Sequence, residues 1–448
     1  MLIGPMPRIN PLLLLACVGI ALLPPPATAT AAPRDVVEQV ATLIENNYFD
    51  PTRAAAIADD LRAGARAGQF DSLRDPRDLA TAVTARLQPS DHHFRLTWSP
   101  AGQPTSDRPD SANPGPAQSL ETLERRNAYG FRRVEILPGA LGYIDLRTFA
   151  DFSFAKPDEP ARQAADAALA LVASADAVIV DLRNNGGGSP NMVGYLVSAF
   201  TPPDANIYNT FRHRDTVGTE RPKQSYAKPR LDVPLYILIS GRTASAAEST
   251  AYTLQAAKRA VLVGEVSRGA ANPGGELPVG DGFNVFISTS TAINPITGTN
   301  WEGVGVKPDV PVSPDKALER AEILALQGVL AQDPNGASVE TRWILEALQS
   351  EATPAPSPGA PLSDYVGTYT AGASIIAERA GLALRRDRSP PWSLVRIHDD
   401  VFAVRDEPFR RVQFERNASR KITRFELVRA GGPAAWFSKE HHAQPSRQ

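Results

Sequence analysis

Apolar positions recur along this chain in two rhythms. From residue 34 to about 90 they fall at helical spacing: VVEQVATLIENNYF, TRAAAIADDLRAGARAG and PRDLATAVTARL each gather an apolar stripe on one face, and Asp50–Pro51 reads as a stop and restart. SPAGQPTSDRPDSANPGPAQS then breaks the pattern with Pro, Ser, Gly and Asp and predicts a mobile loop. From about residue 130 strand-like and helix-like runs alternate. ALGYIDLRTF, DAVIVDL, VPLYILIS and AVLVGEV read as strands, with PARQAADAALALVASA, SPNMVGYLVSAF and SAAESTAYTLQAAKR as helices between them. That grammar predicts a layered α/β core with a partly parallel sheet. GFNVFISTSTAINPITG reads as a hairpin or meander, and helical segments return between roughly 313 and 349.

EATPAPSPGAPLS is a Pro-rich linker. Beyond it, short strand-like runs separated by turn residues predict a small β domain, barrel-like, ahead of a loose tail, EHHAQPSRQ. The expected division is a signal peptide over 1–31, a helical region over 32–97, a flexible loop over 98–128, an α/β core over 129–350, a linker over 351–361, a β domain over 362–438 and a tail over 439–448.

Composition narrows the class. At 448 residues, 42% hydrophobic and 21% charged, the chain has ordinary globular usage and room for two or three domains. Lys plus Arg number 47 against 49 Asp plus Glu, so no charge excess argues for nucleic acid or an anionic membrane. The start is different in kind. Arg8 precedes PLLLLACVGIALL, an apolar run too short to span a bilayer comfortably, and PPPATATAA offers small-x-small sites after Ala29 or Ala31. This predicts export, to the periplasm or beyond, with no integral membrane segment in the mature chain. Cys17, the only cysteine, lies inside the apolar run, which continues past it and so argues against a lipid anchor. A mature chain without cysteine has no disulfide and no thiol nucleophile.

Candidate chemistry gathers around GRTASAAEST, where Ser245 sits between a strand and a helix. Ser-x-x-Glu is a capping box, with Glu248 reaching back to the helix start. The same position also puts a hydroxyl beside free N–H groups at a positive helix end, where an oxyanion could be held. DAVIVDLRNNGGGSPNM supplies a glycine-rich turn after the preceding core strand; it lacks Gly-Lys-Ser/Thr and dinucleotide spacing, and reads either as a plain tight turn or as exposed N–H donors. Base candidates are few. His441 and His442 fall in the tail, His398 in the β domain and His213 in a polar connection, which leaves His92 and His93 in PSDHHFRLTW. A metal site fails for want of further ligands at sensible spacing, and a DHH phosphoesterase would need aspartate-rich strands that are missing. Glu302, in GTNWEGVGVKPDV, is either a turn residue or a carboxylate that orients an imidazole.

Taken together, SDHHF, DLRNNGGG, GRTASAAES, LVGEVSRGAANPGG and DGFNVFISTSTAINPITGTNWEGVGVKPDV, in that order, resemble the tail-specific or C-terminal processing serine peptidases. The nearest branch is that of the tricorn protease core and the interphotoreceptor retinoid-binding proteins. The resemblance spans roughly residues 34 to 315 and implies a ClpP/crotonase-like core. It implies Ser245 as nucleophile, with Ala246 and a glycine of the NNGGG turn, Gly187 before Gly186, as oxyanion donors. Ala270 stands where the main branch has a lysine base, so the resemblance implies His93 instead, with His92 as fallback and Glu302 completing the set. Where that branch has a further serine this chain has His92; Ser90 or Asp91 could substitute. No metal or organic cofactor is implied, and the implied substrate is a peptide or unfolded protein. Only about thirty residues separate the helical region from the core, too few for the PDZ domain that many relatives use to capture C-termini. A hydrophobic-ligand carrier on the same fold is the competing expectation, and a β domain acting as docking surface is a third.

Overall fold

The computed structural model describes residues 32–100, 120–156, 158–332, 338–353, 360–379 and 381–440. The expected leader, most of the expected flexible loop, the centre of the linker and most of the tail lie outside these residues.

Helices α1 (Pro33–Asn47), α2 (Pro51–Arg66) and α3 (Pro76–Leu87) form the first layer. Each opens with proline at its first position, and Asp50 and Asp75 accept the N–H of Arg53 and Arg77 as caps. Their apolar stripes, from Val36 to Leu87, pack against a small sheet rather than only against one another. That sheet joins β1 (Arg95–Trp98) to a distant hairpin. The helix α4 (Leu120–Arg126) follows, where a loop was expected; LETLERR is made of good helix formers.

The core alternates as anticipated: β2 (Phe131–Leu137), β3 (Leu141–Leu146), α5 (Pro160–Leu171), β4 (Ala177–Asp181), α6 (Pro190–Ser198), the hairpin β5 (Thr210–Arg212) and β6 (Val217–Thr219), β7 (Leu235–Ile239), α7 (Ala246–Ala256) and β8 (Val261–Gly264). After the hairpin β9 (Gly274–Gly280) and β10 (Phe283–Ser288) come β11 (Thr291–Ile293), β12 (Val310–Pro311), α8 (Ala317–Gln332) and α9 (Val339–Ala352). The main sheet runs β12-β8-β7-β4-β3-β2; every pair is parallel except β2 with β3. Both faces are covered. Val178, Ile237 and Leu262 point to the side of α5, α6 and α7, whereas Ile179, Leu238 and Val263 face α8 and α9. Burial on both faces explains why these strands read as continuous apolar runs.

In such a sheet the loops at the carboxyl ends of neighbouring parallel strands emerge together. Those after β4, β7 and β8 carry the glycine-rich turn, Ser245 and residues 265–273 respectively. β1 pairs antiparallel with β10, Arg95 against Phe286, and β10 with β9. The chain just before β1 is thereby set beside the chain just before β9.

Eight antiparallel strands, β13 (Gly367–Tyr369) to β20 (Ala434–Ser438), follow in sequential order, and a bridge from Tyr369 to Lys439 brings the first against the last. This is the expected barrel, nearly closed, with Tyr365, Tyr369, Phe402, Phe414 and Phe425 filling its interior. Arg411, almost fully buried, ties it to the core by donating to the Trp343 carbonyl of α9.

The layer that leads into β1 depends on its helices for support. Ile44→Ala, at a fully buried position of α1, is expected to cost about 2–5 kcal/mol in urea unfolding; a loss below about 1 kcal/mol would show that this layer is loosely packed.

Candidate active site

Ser245 is the N-cap of α7, with φ 51° and ψ −120°. L residues rarely adopt this backbone, which costs about 1–3 kcal/mol. Glu248, one turn into the helix and fully buried, holds it there. Its carboxylate accepts the Ser245 N–H at 2.8 Å, the Ala270 N–H at 2.9 Å, the Gly269 N–H at 2.6 Å and the Ser267 hydroxyl at 2.5 Å. The Glu248 half of the expected capping box is present, whereas the Ser245 side chain makes no cap hydrogen bond; Glu248 also does more than cap, clamping the helix start to the loop after β8. The Ala246 N–H, at the first helical position, makes no hydrogen bond among the described residues.

Across from Ser245 lies the turn Gly186–Gly187–Gly188. A Cβ on Gly187, whose φ is +116°, would stand 2.9 Å from the Ser245 Cβ and 3.2 Å from the Ala246 nitrogen. Only glycine leaves that space open. The Gly187 N–H, expected as an oxyanion donor, is instead donated to Asn185 Oδ1 at 2.9 Å. The Gly186 N–H makes no hydrogen bond among the described residues. Asn185 is buried and pins the turn: its Nδ2 donates to the Leu146 carbonyl at 3.0 Å, and its own carbonyl accepts the Ala244 N–H at 3.1 Å.

The second cluster holds the histidine. Asp91, whose side chain is fully buried, accepts the His93 N–H at 2.8 Å and the Asn272 amide at 3.2 Å. Nδ1 of His93 is 3.5 Å from Asp91 and 3.7 Å from Glu302, and the ring stacks on Phe286 with centroids 5.7 Å apart. Glu302 accepts the Ala271 N–H at 2.7 Å and the Asn272 N–H at 3.1 Å. Burial and then the charge of Asp91 push the Glu302 carboxyl up. For Asp91 burial pulls upward as well, but hydrogen bonds from His93 and Ser288 outweigh it and hold the carboxyl below its usual range. Both acids thus face one edge of the imidazole and leave Nε2 on the other edge. The same three side chains form the one group among the described residues close enough to share a cation, with their ligating atoms within 4.8 Å of one another.

The remaining candidates stand apart. His92 is exposed, its Nε2 4.0 Å from where a Cβ of Gly303 would lie. The Ser90 carbonyl accepts from Arg53. Among the described residues no hydrogen bond joins His93 to Ser245. The two clusters meet through Ala271, whose N–H binds Glu302 and which lines the same cavity as Ser245.

That cavity, about 240 Å³, brings in Glu220 and Ser249, which the sequence had not marked, together with His213, set aside as a base candidate because it lies in a polar connection. Only Ser249 carried a signal, four residues after Ser245 on the same helix face. Its hydroxyl lies 2.5 and 2.7 Å from the two oxygens of Glu220, which also accepts the Asn209 amide at 2.9 Å.

Comparison with known proteins places these features in a family context. Residues 140–312 match the model of peptidase family S41, and residues 27–137 that of the N-terminal domain of Peptidase_S41 in eukaryotic IRBP. A carboxy-terminal-processing protease of Bartonella bacilliformis is 26% identical over 286 residues, 60% of this chain and 59% of its own. The chloroplastic carboxyl-terminal-processing peptidase 1 of Arabidopsis thaliana is 28% identical over 46% of this chain and 42% of its own. The solved photosystem II D1 C-terminal processing protease is 16% identical, covers 64% of this chain and 94% of its own, and superimposes with a TM-score of 0.40. The chain spans about three-fifths or less of the length of these curated relatives.

Glu220 generates a pH test. Burial raises its pKa to about 7, against roughly 4.3 in an unfolded chain, so folding favours its neutral form. Its contribution to stability is full below the unfolded value and is lost as pH rises through about 7. Urea unfolding is expected to show a loss from this group on the order of 1–3 kcal/mol between pH 4.5 and 8, absent in Glu220→Gln. Parallel pH profiles for the two proteins would contradict the assignment.

Proposed function

Because the chain belongs to peptidase family S41, we propose that it is an exported serine peptidase acting on peptides or unfolded protein, with Ser245 as nucleophile, His93 as base and Glu302 as its partner. The observation that carries this reading is the strained placement of Ser245 at a helix start, open to a cavity and beside an unengaged Ala246 N–H. The Ser245 oxygen attacks the scissile carbonyl carbon as Nε2 of His93 takes its proton. The Ala246 N–H and an amide of the Gly186–Gly187 turn receive the oxyanion; Gly187 serves if its N–H leaves Asn185, and Gly186 is already unengaged. On collapse the imidazolium protonates the leaving amine, and water then releases the acyl group by the same route in reverse.

The two carboxylates suit the imidazolium stage, since each gains from a charge on the ring they flank. In this reading substrate closes the remaining gap between His93 and Ser245, as catalytic hydrogen bonds often tighten only in the complex. Export rests on the leader-like start. Among the described residues no helix is long and apolar enough to cross a membrane.

With an unfolded protein or quenched peptide as substrate, Ser245→Ala and His93→Ala are each expected to lower kcat/KM by at least about 10²–10⁴-fold, with His92→Ala close to the parent. Turnover retained in Ser245→Ala would reject the peptidase reading. Loss in His92→Ala with retention in His93→Ala would reassign the base.

A further inference from the structure

Among the residues lining the cavity beside Ser245 is Glu220, an acid that makes no ion pair among the described residues. Glu220 is 4% exposed, and its hydrogen bonds come from neutral groups, the Ser249 hydroxyl and the Asn209 amide. Among the described residues no lysine, arginine or histidine makes an ion pair with it. Nearby Arg221 is turned away, donating to the carbonyls of Pro203 and Ala205. Burying an unpaired carboxylate is costly, whereas burying one opposite a cation recovers much of that cost. Glu220 nonetheless lines an opening that also reaches Ser245.

The other walls are mostly apolar: Phe211 comes from the β5–β6 hairpin, and Ala271, Pro273 and Trp301 from the loops that hold Glu302. At about 240 Å³ the space is smaller than the roughly 300–1,000 Å³ of typical small-molecule sites and suits a single side chain. A mostly apolar cavity lined by both Ser245 and a carboxylate residue without an ion-pair partner matches one kind of side chain, a long aliphatic stem tipped with a positive charge.

We propose that this cavity receives the substrate side chain on the acyl side of the scissile bond, and that Glu220, oriented by Ser249 and Asn209, selects lysine there. The inference rests on the peptidase reading of Ser245. His213 lines the same cavity and makes no ion pair with Glu220 among the described residues. Asn209 is itself held, its Oδ1 accepting the Asn294 amide at 2.9 Å, so the carboxylate is set in place before substrate arrives. Lysine, rather than the wider arginine fork, suits the few acceptor positions that Ser249 and Asn209 leave on the carboxylate.

The test separates selectivity from turnover. An acetylated peptide amide with lysine at the acyl-side position, and its norleucine counterpart lacking the amine, are titrated into the full chain carrying Ser245→Ala. Lysine is expected to bind at least tenfold more tightly, and the preference to vanish when Glu220→Gln is added. Equal binding, or a preference for norleucine, overturns the proposal. With Ser245 intact, the lysine-to-norleucine ratio of kcat/KM is expected to fall at least tenfold in Glu220→Gln; an unchanged ratio also counts against it. Should Glu220→Gln fail to fold, the lysine–norleucine comparison in Ser245→Ala alone still decides. If that comparison favours lysine while the intact chain cleaves neither peptide, the peptidase reading fails and what stands is a lysine-binding cavity at Glu220, not a subsite of a scissile bond.

Discussion

The buried carboxylate of Glu248 is the constraint on which the site depends. Four donors converge on it, one from the strained Ser245 peptide and three from the loop after β8. A hydrogen bond to a charged group contributes about 1.5–3 kcal/mol net, so the set outweighs the roughly 1–3 kcal/mol of strain at Ser245. The two readings of Ser-x-x-Glu are therefore not rivals. The cap is the device that keeps a serine in a conformation useful for attack.

The same loop carries the consequence onward. Gly269 and Ala270 bind Glu248, while Ala271 and Asn272, the next residues, bind Glu302. One stretch of backbone thus spaces the serine cluster from the histidine cluster. β9 begins just beyond it and pairs with β10, which in turn pairs with β1. The helical layer is in this sense part of the site: its packing on Val285 and Ile287 fixes where His93 emerges.

Much of this was legible in the sequence because it is local or periodic. The parallel strands announced themselves as apolar runs, Ser245 by its strand-to-helix position, and the glycine turn by composition. The position of Asp91 beside His93 also followed from adjacency. What escaped depends on distant side chains. Asn185 read as part of a turn, yet its amide takes the Gly187 N–H that had been expected to face substrate. Glu220 lay in a polar connection; its partners Asn209 and Ser249 are 11 and 29 residues away, and no periodicity links them. His213 was set aside as part of that polar connection, and β5 and β6 beside it are too short for alternation to register. The helix α4 was hidden by the Pro-rich stretch before it.

Whether Glu248 braces Ser245 for nucleophilic attack is decided by the rate at which a fluorophosphonate modifies Ser245 in the parent chain and in Glu248→Gln, read by mass spectrometry on folded protein. The glutamine amide must point at least one donor at another, so modification of Ser245 is expected to slow tenfold or more. Modification at the parent rate in a folded Glu248→Gln protein would contradict it.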